Sequence, residues 1–531
     1  MPFLMAVSVA VGVYIGSDLS QMEKGSPIFQ RDHTSSTNKI SQIINFVEQH
    51  YVDTVDKSSI IDKTIQEMLQ QLDPHSYYIS TEELRQYTEP LEGNFDGIGV
   101  EFTIQHDTVF VVTPLEGGPS EALGIMSGDR IVSVEGENIA GTGIANRDVI
   151  ELLRGERGTK VNVEIKRRGF GELLDFTITR GKIPIYSVAV AYPVAPEIGY
   201  IKVTRFAKTT HEEFMQGVED LRQQGIEKLI IDLRGNGGGY LNTAIAICEE
   251  ILPLGSLIVY TEGKAQPRKT YHSGRRGELA EIPVVIMIDQ GSASASEILA
   301  GAVQDNDRGL VVGRRSFGKG LVQEHYEFPD SSAIRLTVAR YYTPSGRSIQ
   351  KPYGQGIDYG AEYYERFETG EVYDSSKIKY PDSLVYQTVG GRTVYGGGGI
   401  VPDIFVPLDT IGGSRYLTDI SYRGILNDFA FEYADEHRER LVGMQSAEKY
   451  IQKFTVTQKL LEELYSFADQ AGLEVNLADI EISKEVLRIR LKALIARNIW
   501  GNEAYYPIIA NDDSMLQQAI SAFKSESIIL P

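Results

Sequence analysis

Residues 282–304 read IPVVIMIDQGSASASEILAGAVQ. Positions 282–288 form an apolar run of strand length. The small residues from Gly291 to Ser296 follow as a turn, and 295–304 carries the spacing of a helix. A strand that is apolar on both sides must be covered on both sides, so this stretch predicts a central strand of an α/β sheet. The same alternation continues around it. Strands are expected over 198–203, 228–233, 310–312 and 333–340, with helices over 210–223 and 241–252. A turn-rich tail, 386–402, closes this region.

The flanking sequence differs in character. Residues 39–72 place Ile40, Ile43, Ile44, Val47, Ile60, Ile61, Ile65, Met68, Leu69 and Leu72 at helical spacing, which predicts two helices broken near 51–57. The Asp73-Pro74 pair stops the second. Residues 93–181 read as a β-rich module with strands over 99–104, 109–113, 129–134, 160–167 and 174–179 and short helices over 120–123 and 147–153. Beyond 407 charged, helix-forming sequence dominates, with helices expected over 427–441, 457–470, 484–499 and 513–524. At the start, residues 2–16 (PFLMAVSVAVGVYIG) carry no charge and match the apolar part of an export signal or an uncleaved anchor. No basic flank precedes them, which leaves room for a start farther upstream. Residues 17–35 are a polar linker.

The net charge of −21 argues against a general nucleic-acid binder, because phosphate binding needs a basic face. Cys248 is the single cysteine, so an internal disulfide and a cysteine-based zinc site are both excluded.

Three segments carry candidate chemistry. In the first, a sharp turn of small residues can hold the Ser294 hydroxyl exposed at a sheet edge, beside helix amides suited to an oxyanion. The same Ser294-x-x-Glu297 spacing also matches a capping box, which needs no chemistry. In the second, Lys319 sits between Gly318 and Gly320 after Phe317. Burial would favour its neutral form and make it a base; in the open it is a solvated loop lysine. Residues 313–319 satisfy G-x-x-x-x-G-K, but Gly320 stands where a phosphate loop needs Ser or Thr, and a strand follows rather than a helix. In the third, Asp232 to Tyr240 reads DLRGNGGGY. This glycine-rich turn can aim backbone amides into a cleft, or simply connect strand to helix.

Together the three segments resemble the carboxy-terminal processing peptidases, also called tail-specific proteases, over residues 36–407. The resemblance implies Ser294 as nucleophile and Lys319, in Phe-Gly-Lys-Gly, as general base. It implies Gln323 as a partner of the lysine amine, with 319 and 323 on one face of a strand. Leu-Arg-x-Asn-x-Gly-Gly at 233–239 implies one oxyanion amide from Gly238 or Gly239 and the other from Ala295. Some members give a role to the position of Asp305. Eleven helical residues span about 16 Å, so capping or loop fixation near Asn306 and Asp307 is expected there instead. The β-rich module resembles a PDZ domain. Gly97-Ile98-Gly99-Val100 matches the loop that binds a terminal carboxylate, and Gly118-Pro119-Ser120 and Ser127 to Ile131 match later landmarks. Arg154 is expected to couple this module to the core, and His75 to be a structural cap or hinge.

The expectation is therefore a multidomain α/β protein. It comprises a signal or membrane anchor (1–16), a linker (17–35), an N-terminal helical segment (36–92), an inserted PDZ domain (93–181), an α/β serine peptidase core (182–407) and a helical C-terminal domain (408–531). Its expected partners are proteins and peptides with flexible C-termini, not nucleic acid. No metal or cofactor is required. The expected location is the periplasmic side of a bacterial inner membrane, and a homo-oligomer is left open. Two rivals stand beside this reading: a catalytically silent tail-binding adaptor, and a Ser-His hydrolase using His325 or His272.

Overall fold

The computed structural model describes residues 36–524 except 116, 355, 381 and 382; the expected signal and linker lie outside the described residues. Two helices open it, α1 (Ser36–His50) and α2 (Lys57–Gln70). The Asp56 carboxylate caps α2 by accepting from the Ser58 and Ser59 amides, which accounts for the expected break. Strand β1 (Tyr77–Ile79) and helix α3 (Thr81–Glu92) follow, and then β2 (Asn94–Gly97).

The β-rich module consists of β3 (Val100–Gln105), β4 (Thr108–Pro114), α4 (Pro119–Ala122), β5 (Arg130–Val134), β6 (Glu137–Asn138), α5 (Asn146–Leu153), β7 (Lys160–Lys166) and β8 (Leu174–Thr179). Its sheet order is β3-β4-β5-β7-β8, with β6 paired to β5, so β3 is an edge strand. Alternate residues such as Val109, Val111, Val161, Val163 and Ile165 fill its core. Strand β9 (Gly181–Pro184) returns antiparallel to β2 and closes the insertion.

The central sheet has the order β10 (Val188–Ala195), β11 (Ile198–Val203), β12 (Lys228–Asp232), β15 (Val284–Ile288), β16 (Leu310–Gly313), β21 (Ile404–Phe405). All neighbours are parallel except β10 with β11. One face packs on α6 (Thr210–Gln223), α7 (Leu241–Ile251) and α8 (Ala295–Asp305) through Ile201, Ile231, Ile286 and Val311. A second sheet joins β1, β13 (Leu257–Glu262), β14 (Lys269–His272), β17 (Leu321–Glu327) and β18 (Ala333–Tyr342). Helix α9 (Ala361–Glu368), which the sequence reading did not include, and the hairpin β19 (Val385–Gln387) with β20 (Thr393–Tyr395) lie between β18 and β21.

The C-terminal segment holds α10 (Arg415–Tyr422), α11 (Ile425–Glu436), α12 (Arg438–Val442), α13 (Ala447–Lys453), α14 (Gln458–Gln470), α15 (Leu477–Trp500), α16 (Asn502–Ile509) and α17 (Ser514–Ala522). The single helix expected over 427–441 is divided at His437, which leaves helical geometry at φ −110°. Helix α15 starts seven residues before the expected 484, because the Asn476 carboxamide caps Ala478 and Asp479. Helices α10 to α16 share a core of their own, but the last part of the chain does not stay within it. Ala510, Met515, Leu516, Ala519 and Ala522 cover the second face of the central sheet, packing on Tyr200, Ile230, Val285, Met287 and Val312. The two-sided coverage expected from the 282–288 run is thus completed by the chain's own C-terminal end.

Leu516, 2% exposed in that contact, tests this coverage. Leu516→Ala is expected to cost about 2–5 kcal/mol in urea unfolding, whereas Tyr422→Ala, at a position 91% exposed, stays within about 0.5 kcal/mol of wild type.

Candidate active site

Strand β15 ends at Ile288, and the chain turns through 291–293 before α8 begins. Ser294 sits on this turn at φ 56° and ψ −112°, a conformation that costs a non-glycine residue about 1–3 kcal/mol. The strain lifts the serine out of the helix it precedes. Its hydroxyl does not cap α8; the Glu297 amide donates instead to the Ser294 carbonyl at 2.9 Å. The other half of the expected capping box is present, with the Ser294 N–H donating to Glu297 Oε2 at 2.8 Å. The Ala295 N–H has no acceptor among the described residues.

The glycine loop after β12 is tied to this turn by Asn236, which is fully buried. The Asn236 carbonyl accepts from the Ala293 N–H and the Ser296 hydroxyl, both at 2.9 Å, and its carboxamide donates to the Val203 carbonyl at 3.0 Å. The two candidate glycines separate here. The Gly238 N–H donates to Asn236 Oδ1 at 2.9 Å, so it is already engaged. The Gly239 N–H has no acceptor among the described residues, and Gly239 faces the same cavity as Ser294 and Ala295. Only glycine fits at 239, since a Cβ there would lie 2.1 Å from the Phe206 carbonyl oxygen.

Glu297 connects the serine turn to the lysine loop. Its fully buried carboxylate accepts four hydrogen bonds: from Ser294 N–H at 2.8 Å, Lys319 N–H at 2.9 Å, Gly318 N–H at 2.7 Å and the Ser316 hydroxyl at 2.5 Å. The Ser316 hydroxyl itself accepts from Ile400 N–H, so its proton is directed to Glu297. Burial pushes the Glu297 carboxyl up to about 7, against the pull of these donors. Tyr341 Oη adds a second bridge, 3.1 Å from the Ser294 carbonyl and 2.6 Å from that of Lys319. Arg366 holds the carbonyls of Arg315, Ser316 and Phe317 from behind.

Lys319 precedes β17 rather than lying in it, so the expected shared strand face with Gln323 does not exist. The Gln323 amide donates to the His75 carbonyl at 3.1 Å. Burial, with Arg335 nearby, lowers the Lys319 ammonium to about 8. Neither Lys319 Nζ nor Ser294 Oγ has a hydrogen-bond partner among the described residues. His75 is held neutral, its pKa lowered to about 4 by burial and by Lys319, and its Nε2 meets Tyr359 Oη at 2.9 Å. Its backbone N–H donates to the Asp73 carboxylate, so the capping side chain of this turn is Asp73.

A cavity of about 730 Å³ brings together Ser294, Ala295, Gly239, Gln323, Arg335 and Tyr341. His325 and His211 also line it, but neither hydrogen-bonds Ser294; His325 lies beside Glu327 and His211 beside Glu250. His272 lies on β14. Asp305 is occupied elsewhere, in an ion pair with Arg347 at 2.7 Å in which both side chains are fully buried, and it also holds Ser345. Loop fixation is therefore its structural role.

In the β-rich module the 97–100 loop joins β2 to the edge strand β3, with Gly99 at φ +76°. The Ser120 amide and hydroxyl both donate to the Ile98 carbonyl. The Ile98 and Gly99 amides make no turn or loop hydrogen bond among the described residues. Arg154 pairs with Glu89 of α3 at 2.5 Å and lies over the Phe95 ring, so the module is linked to the helix that precedes it.

A strained serine at a strand-to-helix turn, a buried lysine, free amides and a PDZ-type module define a serine peptidase. Four family models match parts of the chain: "Peptidase family S41" residues 197–361, "PDZ domain" 110–167, "Activating protease CtpB N-terminal domain" 6–83 and "Family of unknown function (DUF8443)" 416–501. The chain is 34% identical to the carboxy-terminal-processing protease of Bartonella bacilliformis, over 64% of this chain and 78% of that one. It is 33% identical to the carboxy-terminal processing protease CtpB of Bacillus subtilis, over 64% of this chain and 72% of that one. The chain belongs to the carboxy-terminal processing proteases, the PDZ-containing serine peptidases of family S41.

Glu297→Gln turns an NH₂ group either toward the Ser294 and Lys319 N–H groups or toward Gly318 N–H and the Ser316 hydroxyl. It is expected to lower the melting temperature by several degrees and proteolytic rate by about tenfold or more, read by calorimetry and peptide cleavage.

Proposed function

We propose that this peptidase cleaves near the C-terminal tails of protein substrates with a Ser294–Lys319 dyad. The observation that carries the reading is Glu297, whose single carboxylate accepts from both Ser294 N–H and Lys319 N–H and so holds the two loops together. Neutral Lys319 takes the Ser294 proton as Oγ attacks the peptide carbonyl. The Gly239 and Ala295 amides receive the oxyanion. Lys319 gives its proton to the departing amine, and the acyl-enzyme then reacts with a water that Lys319 deprotonates. Gln323, whose NH₂ is anchored on the His75 carbonyl, keeps Oε1 free to receive the lysine ammonium once it has taken the proton. The substrate tail adds as a strand to β3 and places its carboxylate at the 97–100 loop amides. Residues 2–16 support a site of action on the exported side of a membrane.

Lys319→Ala and Ser294→Ala are each expected to lower cleavage of a tailed protein by about 10³-fold or more, followed by mass spectrometry. A Lys319→Ala protein that cleaves at the normal rate would defeat the dyad. Because the base must be neutral, kcat/KM is expected to rise with pH about tenfold per unit and level off above about 8. A profile already flat from pH 6 contradicts a lysine base. For the PDZ module, amidating the substrate C-terminus is expected to raise KM; equal KM for free and amidated tails rules out carboxylate capture at 97–100.

A further inference from the structure

The helical C-terminal segment reaches the glycine loop of the active site through Asp513. This residue caps α17 by accepting from Leu516 N–H at 3.0 Å. Its two carboxylate oxygens also accept from Arg234 Nη1 at 2.9 Å and Nη2 at 2.6 Å. Arg234 donates at the same time to Asp232, from Nε at 3.0 Å and Nη2 at 2.6 Å. Asp232 is fully buried and further accepts from Tyr200 Oη and Lys202 Nζ. Burial alone would raise the Asp232 carboxyl, but Arg234 and Lys202 hold it well below the ordinary range. The backbone at 234 is gripped on both sides, its N–H on Asp232 Oδ1 at 2.8 Å and its carbonyl on Lys202 Nζ at 2.6 Å.

This cluster sets two cations, Lys202 and Arg234, against two carboxylates, Asp232 and Asp513, with Arg314 and Asp289 lining the same cavity. Deleting one carboxylate leaves an uncompensated charge in a half-closed site, and a loop can relieve it by moving. The loop concerned runs from Arg234 to Gly239. Its next residue, Gly235, donates to Asp289 Oδ1 at 2.9 Å, and Asp289 also accepts from Gly291 N–H in the serine turn.

We infer that Asp513 is a positioning residue for the peptidase reaction: through Arg234 it fixes the 234–239 loop and so aims the Gly239 N–H at the substrate carbonyl. The C-terminal segment is then part of the catalytic unit. The inference rests on Gly239 being an oxyanion donor, as proposed above.

Asp513→Asn in the full-length chain tests it, because asparagine caps a helix as well as aspartate does, while the charge and the oxygen that accepts from Arg234 Nη2 are lost together. Expected is a fall in kcat of about tenfold or more with KM within about twofold of wild type, and recovery of most of the rate in Asp513→Glu. Asp513→Ser, a second uncharged cap, is expected to repeat the loss and serves if the asparagine variant folds poorly. Leu516→Ala, which weakens the same helix but leaves its own N–H on Asp513 and the Asp513 carboxylate on Arg234, is expected to keep kcat at temperatures where it remains folded. The inference is overturned if folded Asp513→Asn retains kcat within about twofold, if the loss lies in KM, or if Leu516→Ala loses kcat to the same degree. Lys319→Ala measured alongside keeps the two readings apart. Wild-type activity in that variant removes the dyad, while the ratio of Asp513→Asn to wild type can still be read.

Discussion

One buried carboxylate holds the catalytic centre in shape. Glu297 Oε2 accepts from both the turn carrying Ser294 and the loop carrying Lys319, and Oε1 fills the remaining capacity on Gly318 and Ser316. Removing such a group from water is unfavourable unless its lone pairs are filled, and here four donors fill them. The arrangement also frees atoms of the serine turn. With Glu297 satisfying the backbone of the strained turn, the Ser294 hydroxyl is not needed as a cap and the Ala295 N–H is left without an acceptor.

The glycine loop is organised by a second principle. Asn236 ties it to the serine turn with neutral hydrogen bonds, while the charge cluster around Asp232 and Arg234 ties it to the far side of the sheet. That far side is covered by residues from the end of the chain, Met515, Leu516 and Ala519 among them. The hydrophobic need of a central β-sheet to be covered on both faces thus brings a distant helix, and its N-cap carboxylate, next to the active site.

Much of this was legible in the sequence. The all-apolar run at 282–288 pointed to a doubly covered strand, and small residues after it pointed to a turn able to expose Ser294. The alternation of strands and helices, the β-rich insertion and the helical C-terminal segment stand largely where their patterns place them. Strand pairing and side-chain reach were less legible. Lys319 and Gln323 share no strand face, because β17 begins only at Leu321 and Gln323 turns to His75. Gly238 and Gly239 were equivalent as letters, and only the Asn236 side chain distinguishes them. Tyr341 and Asp513 carried no local signal at all, since each acts on residues far away in the chain.

Local composition therefore determined the classes of element and singled out the candidate reactive groups, because periodicity, small-residue turns and glycine requirements are properties of neighbouring residues. Tertiary structure alone decided which amides stay free, which carboxylate joins the serine turn to the lysine loop and what covers the second face of the sheet. Those outcomes depend on burial and on hydrogen-bond partners brought together from separate parts of the chain, and no short stretch of sequence contains them.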